Sequence, residues 1–272
     1  MKVFISVDLE GISGVFAEEQ TTRGTEACGT AKEYMRADLD AVIEGCLSAG
    51  AAEIVVADGH DQGANLRFDA LPAAVSLSSG SPSTLSMMQG VDSGCSAAML
   101  IGYHARAGTQ GAVLDHTYSY DVQSVRVGDC EVGEVAINAA VAGVFGVPVV
   151  LVSGDDKLAA EAHDHIPGVE CVVVKDGVMR TAARLLAPEA ARAALRDGAQ
   201  RALSAPAWPT PLDFAAQTMC VTFRRTAACD AAARCPTVRR VGGYTVEIIG
   251  HDYLEVFDTF LTCVALARLA DH

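Results

Sequence analysis

Four short apolar runs, far apart in the chain, each end on a glycine beside groups that can hold a proton or a cation. They are Val3–Val7 before Asp8-Leu9-Glu10-Gly11, Ile54–Ala57 before Asp58-Gly59-His60, Ala97–Ile101 before Gly102-Tyr103-His104, and Pro148–Val152 before Ser153-Gly154-Asp155-Asp156. Runs with so few polar residues suit strands buried on both faces, the hallmark of a parallel sheet sandwiched between helices. Parallel strands joined by right-handed crossovers present their carboxyl ends along one edge, and ligands of open α/β sheets bind outside that edge. The pattern therefore converges acids, imidazoles and glycines from four segments on one crevice.

The intervening segments fit this frame. Thr25–Ala49 places Met35, Leu39, Val42, Ile43, Cys46 and Leu47 at helical spacing before Gly50. Val122–Val127 and Glu131–Val132 read as a hairpin turning at Gly128-Asp129, and Gly133-Glu134 opens a helix to about Phe145. Ala159–His163 reads as a short helix, Cys171–Val174 as a strand, and Pro188 to about Ala205 as an alanine-rich helix. After the proline-rich stretch Pro206–Pro211 the pattern changes to strands at Met219–Phe223, Val238–Val241 and Tyr244–Ile249 and a closing helix at Tyr253–Leu269. The expected fold is α/β, a mostly parallel doubly wound sheet with a small C-terminal α+β domain. The expected division is a metal-binding catalytic domain over residues 1–205 and the small domain over 206–272.

Composition narrows the function. A net charge of −14 without a basic cluster argues against nucleic acid as a partner. No run reaches the roughly 18 apolar residues of a membrane span, nor is there a secretory-type leader, so a cytoplasmic protein is expected. The 9 cysteines contain no C-x-x-C pair and read as small buried hydrophobes. The sequence lacks the dinucleotide fingerprint, the P-loop, H-E-x-x-H and G-x-S-x-G. Metal-assisted hydrolysis then leads over hydride transfer, phosphoryl transfer or a serine triad.

Asp8 and Glu10, two apart on an extended chain, project to one side, and adjacent carboxylates repel unless a cation lies between them. His60 and His104 bring imidazoles, the commonest metal ligands, to equivalent strand ends. Any of these alone reads equally as a loop acid or a loop histidine, and Glu134 as a helix-terminus acid favoured by the dipole. Together, three carboxylates would balance two zinc ions to a small positive remainder, which suits activation of water. Asp8 is the candidate bridge. His116, twelve residues after His104, could fold back to move a proton or polarise a carbonyl. Asn138, one turn after Glu134, could contact substrate. Asp155 and Asp156 read better as caps of the following helix than as catalytic groups. Other metal hydrolases, and a metal- or peptide-binding protein without turnover, remain open on these residues alone.

In order along the chain, Ser6-Val7-Asp8-Leu9-Glu10-Gly11-Ile12-Ser13-Gly14, Asp58-Gly59-His60, Gly102-Tyr103-His104-Ala105 and Gly133-Glu134 with Asn138 resemble the motifs of the DppA-type D-aminopeptidase family. The resemblance is strong from residue 1 to about Arg184 and weaker beyond. It implies two zinc ions per subunit on Asp8, Glu10, His60, His104 and Glu134, with manganese or cobalt as possible substitutes and His116 in a catalytic role. It also implies short peptides such as D-Ala-D-Ala as substrates and a homo-oligomer, a decamer of two pentamers. An L-specific aminopeptidase is the alternative on the same mechanism.

Overall fold

A computed structural model describes residues 1–214 and 218–270. In chain order the elements are β1 (Lys2–Val7), α1 (Glu18–Thr21), α2 (Glu26–Ser48), β2 (Glu53–Asp58), β3 (Val75–Ser78), β4 (Ala97–Ile101), β5 (Val122–Val127), β6 (Cys130–Val132), α3 (Glu134–Val144), β7 (Val149–Asp155), α4 (Asp156–His165), β8 (Glu170–Met179), β9 (Ala182–Leu185), α5 (Pro188–Ser204), β10 (Thr218–Phe223), α6 (Thr226–Ala232), β11 (Val238–Arg240), β12 (Thr245–Ile249) and α7 (Tyr253–Leu269).

Seven strands form the main sheet in the order β3-β2-β1-β4-β7-β8-β9. All neighbours run parallel except β8 and β9. The chain moves outward from β1 through β2 to β3, then returns to the other side of β1 with β4. The reversal at β1–β4 is the topological switch point, where a crevice opens at the carboxyl ends.

Alternation along the strands sorts the core into two layers. Val3, Ile5 and Val7 of β1, with Ala97, Met99 and Ile101 of β4, pack under α2 and α5. Phe4, Ala98, Leu100 and Val152 face the opposite layer, with residues of α3, α4, α7 and a second sheet. Helix α2 begins where Thr25 accepts the Cys28 N–H, and its buried stripe of Cys28, Ala31, Met35, Leu39, Val42 and Cys46 follows the helical repeat. Gly45 lets α5 approach, because a Cβ there would strike the Arg196 carbonyl oxygen.

The second sheet is antiparallel, in the order β11-β12-β10-β5-β6. Its first three strands come from the C-terminal segment, but β10 pairs with β5 from the middle of the chain. A cut at residue 206 would separate these two strands, so residues 206–272 do not form a self-contained sheet. The exchange matters for function. Hairpin β5–β6 leads directly into α3 and so carries Glu134 to the crevice from the second layer.

Candidate metal centre

The loops that leave β1 and β4 are stitched together beyond the strands. The Asp8 N–H donates to the Ile101 carbonyl at 2.8 Å and the Gly11 N–H to the Gly102 carbonyl at 2.7 Å. A side chain at Gly11 would overlap the Tyr103 carbonyl, and Gly102 sits at φ +70 with its Cα facing the Asp8 carbonyl. These close approaches need glycine, and they set Asp8, Glu10 and His104 within one small volume.

Asp8 lies at the centre. Its Oδ1 is 3.3 Å from His60 Nδ1, which also lies 3.1 Å from Glu10 Oε2. Its Oδ2 is 3.4 Å from His104 Nε2, which also lies 3.3 Å from Glu134 Oε1. One carboxylate thus faces two pockets of donors, Glu10 and His60 on one side and His104 and Glu134 on the other. All five residues are buried.

The imidazole tautomers follow from their second nitrogens. His60 Nε2 donates to the Thr21 carbonyl at 3.1 Å and His104 Nδ1 to the Ala105 carbonyl at 3.1 Å. That leaves a lone pair on His60 Nδ1 and on His104 Nε2, each aimed at carboxylate oxygens. Lone pairs at these distances repel unless a proton or a cation lies between. Without a metal, protons must serve. Burial disfavours the charged form of His60, but the charge of Glu10 and the hydrogen bond to Asp8 outweigh it and push the imidazole up to about 12. His104 is likewise raised well above its ordinary range against its burial, by Glu134 and Asp8. Asp8 is held well below the carboxylate range despite burial, by the close imidazoles of His104 and His60.

Among the described residues four buried side-chain atoms keep no hydrogen-bond partner, and two of them, Glu10 Oε2 and His104 Nε2, belong to this cluster. The contact between His60 and Glu10 Oε2 is within ion-pair distance but misaligned for a hydrogen bond, so both observations stand. Buried polar groups without partners are rare in native proteins. Here they point into the same volume, where the donor atoms of Asp8, Glu10 and His104, and those of His104, His116 and Glu134, lie within 4.8 Å of one another. Mixed carboxylate and imidazole donors with fixed tautomers fit zinc.

His116 stacks on His104 with ring centroids 4.0 Å apart and planes at 9°. Its Nδ1 donates to the Leu114 carbonyl at 2.9 Å, leaving Nε2 open 3.8 Å from Glu134 Oε1. Burial, then the neighbouring charge of His104, lowers its pKa. Asn138 departs from the sequence expectation. It is 0% exposed, donates to Tyr103 Oη at 3.0 Å and accepts from Tyr118 Oη at 2.7 Å. Its amide is committed to the core and cannot contact substrate; it acts on the site by holding Tyr118, whose backbone N–H donates to Glu134 Oε1 at 2.6 Å. Asp58, beside His60, braces its own loop by accepting from the N–H groups of Asn65 and Leu66. Asp155 caps α4 as expected, accepting from Lys157 and Leu158.

A cavity of about 820 Å³ opens above the cluster. Asp8, Glu10, His60, His116 and Glu134 line its floor, Met87, Leu261 and Val264 one apolar wall, and Arg23 and Arg268 its rim. All four non-glycine residues with positive φ among the described residues, Asp61, Ser86, Leu114 and Tyr118, line the cavity or hold His116. Such strain collects at functional sites.

Sequence reasoning missed Tyr118, Tyr120 and Lys175. Lys175 is 1% exposed and donates to the carbonyls of Glu10, Ile12 and Val15 at 2.6, 2.9 and 2.5 Å. A lysine following a run of valines was the available signal, since an unpaired charge in a buried strand needs acceptors nearby.

A doubly wound α/β fold with five buried carboxylate and imidazole side chains gathered at its switch point is the arrangement of a metal-dependent hydrolase. The chain belongs to the D-aminopeptidase family, whose pattern it matches over residues 1–262. It is 32% identical over 269 residues to a D-aminopeptidase of Bacillus subtilis (strain 168), covering 98% of both chains. Its fold superposes with a TM-score of 0.95, at 31% identity and 98% coverage of both chains, on the Zn-dependent D-aminopeptidase DppA from Bacillus subtilis, described as a self-compartmentalizing protease.

Proposed function

We propose that this protein is a zinc-dependent aminopeptidase that removes N-terminal D-residues from short peptides. The observation that carries the proposal is Asp8, whose two oxygens face separate ligand pairs, with Glu10 Oε2 and His104 Nε2 left unpartnered. On this reading Asp8, Glu10, His60, His104 and Glu134 would hold the zinc, Glu10 and His60 on one side of Asp8 and His104 and Glu134 on the other. Zinc bound there would acidify water and polarise the scissile carbonyl.

The chain's own residues do the rest. The Leu9 N–H holds Asp8 Oδ1 at 2.8 Å and the Tyr118 N–H holds Glu134 Oε1, so both carboxylates are fixed before substrate arrives. His116, neutral and with Nε2 open to the cavity, can donate a hydrogen bond to developing oxyanion charge only after gaining a proton. It is therefore placed to take the proton of the attacking water and return it to the leaving amine. The cavity volume suits a peptide of a few residues. Assembly of several subunits around enclosed sites, as a decamer, extends the self-compartmentalizing description of the Bacillus relative to this chain. Among the described residues no helix is long and apolar enough to cross a membrane. Nine free thiols accord with work in the cytoplasm.

The test is hydrolysis of paired D-Ala and L-Ala para-nitroanilides and dipeptides by purified protein, with chelator and with zinc, manganese or cobalt restored. Chelator-sensitive, zinc-restored cleavage of the D-substrates is expected. Cleavage of L-substrates alone would overturn the stereochemical part, and chelator-resistant cleavage would overturn the metal mechanism.

A further inference from the structure

His116 sits on the loop between β4 and β5, with its ring stacked parallel to His104. What holds it comes from far along the chain, in the turn between β8 and β9. Arg180 Nη1 donates to the Asp115 carbonyl at 2.6 Å and to Asp115 Oδ1 at 2.8 Å. The Arg180 backbone carbonyl accepts the Leu114 N–H at 2.8 Å. Leu114 in turn takes the Nδ1 proton of His116 through its own carbonyl.

The same guanidinium lies 5.0 Å from the centre of the Tyr120 ring, and Tyr120 is 4.7 Å from the His116 ring. Arg180, Tyr120, His116 and His104 therefore form one column that ends at the ligand cluster. Asp115 Oδ2 accepts the Gly108 N–H at 2.7 Å, which ties the loop after His104 into the arrangement. Nη2 of Arg180 reaches Glu18 at 3.1 Å, and both Glu18 and Tyr120 line the cavity.

We infer that Arg180 is a positioning residue that sets the orientation of His116. The inference rests on the reading of His116 as the proton-transfer group. A planar guanidinium suits the task, because its donors can meet the backbone carbonyl, the carboxylate and Glu18 together while its face covers an aromatic ring. A lysine could satisfy one or two of these partners but not the set. None of the five ligands touches Arg180, so its loss should leave metal binding alone and act on turnover.

The experiment compares Arg180→Ala, Arg180→Lys, His116→Ala and, as a control from the same hairpin, Arg184→Ala, whose native partner is Asp176 at the surface. Each zinc-loaded enzyme is measured for kcat, KM, zinc content and melting temperature. Arg180→Ala is expected to lower kcat about 10- to 100-fold, the range for a misplaced catalytic group, with KM, zinc content and melting temperature close to wild type. Arg180→Lys should fall between, and Arg184→Ala should match wild type. Wild-type kcat in Arg180→Ala beside an impaired His116→Ala would overturn the inference alone. Loss of zinc or of the fold in step with kcat, in both Arg180 variants, would make the residue merely structural and overturn it too. Full activity in His116→Ala would instead sink the reading on which it rests.

Discussion

Replacing Lys175 by methionine isolates the support beneath Glu10. The change keeps the length and packing of the side chain but removes an ammonium that reaches three carbonyls, of Glu10, Ile12 and Val15, on the loop that follows β1. All three residues are buried, so water does not replace the donor. The Ile12 carbonyl keeps the Val15 N–H as a donor, so two acceptors, those of Glu10 and Val15, are orphaned; at about 1–3 kcal/mol each this costs about 4 kcal/mol at the midpoint. Against this stands the relief of no longer burying a charge. Burial, opposed in part by the charges of Asp155, Asp38, Glu10 and Asp8, pulls the ammonium down to about 8 from 10.5, a penalty of about 3 kcal/mol. The net loss is about 1 kcal/mol, equivalent to a fall of about 2–4 °C in melting temperature for a chain of this size. Because the released loop carries Glu10, the proposed two-zinc reading predicts that zinc held by Glu10 and His60 weakens before zinc held by His104 and Glu134. Thermal melts of the metal-free and zinc-loaded variant, with zinc counted by emission spectroscopy, read both effects. A melting temperature at or above that of wild type, with full zinc content, would refute the argument.

Two further outcomes follow from the same layer. Asp38, which accepts from both N–H and Oγ–H of Ser13, is pushed up to about 6 by burial, with those hydrogen bonds opposing. A carboxyl raised in the folded state contributes most below its unfolded value and loses that contribution as pH rises through 6. Asp38→Asn keeps an acceptor and cannot ionise. It should match wild type at about pH 3, below the unfolded value, and exceed it by about 1–3 kcal/mol at pH 7.5 in urea titrations, and equal stability at both pH values would count against the shift. Gly11→Ala places a methyl group on the Tyr103 carbonyl, so the loops after β1 and β4 must separate. Zinc affinity is expected to fall while the far-ultraviolet spectrum stays native, and unchanged zinc binding would show that the close approach is not needed.

The sheet was legible in the sequence because its strands are buried on both faces and punctuated by glycine. Val3–Val7, Ala97–Ile101 and the closing helix Tyr253–Leu269 lie within a residue of where hydrophobic pattern places them. The edge strands β3 and β9 escaped, since Val75–Ser78 and Ala182–Leu185 are short and half exposed, with no continuous apolar run. The hairpin β5–β6 was visible but not its destination: nothing local in Val122–Val132 says that it pairs with β10, about ninety residues on. The five carboxylate and imidazole residues were legible because each ends an apolar run or opens a helix. Tyr118, Lys175 and Arg180 act through backbone groups, and a side chain that bonds a distant carbonyl leaves no pattern in its own neighbourhood. Asn138 was misread for the complementary reason. One helical turn from Glu134 placed it near the crevice, but the α3 surface it occupies is covered by Tyr103 and Tyr118.

The most direct test of the account is anomalous diffraction at the zinc absorption edge from crystals of the zinc-loaded protein. Two peaks are expected on either side of Asp8, about 3.5–4 Å apart as in two-metal hydrolases, one within bonding distance of Glu10 and His60 and the other of His104 and Glu134. A single peak, or peaks that leave Asp8 uncoordinated, would contradict the bridged two-zinc centre.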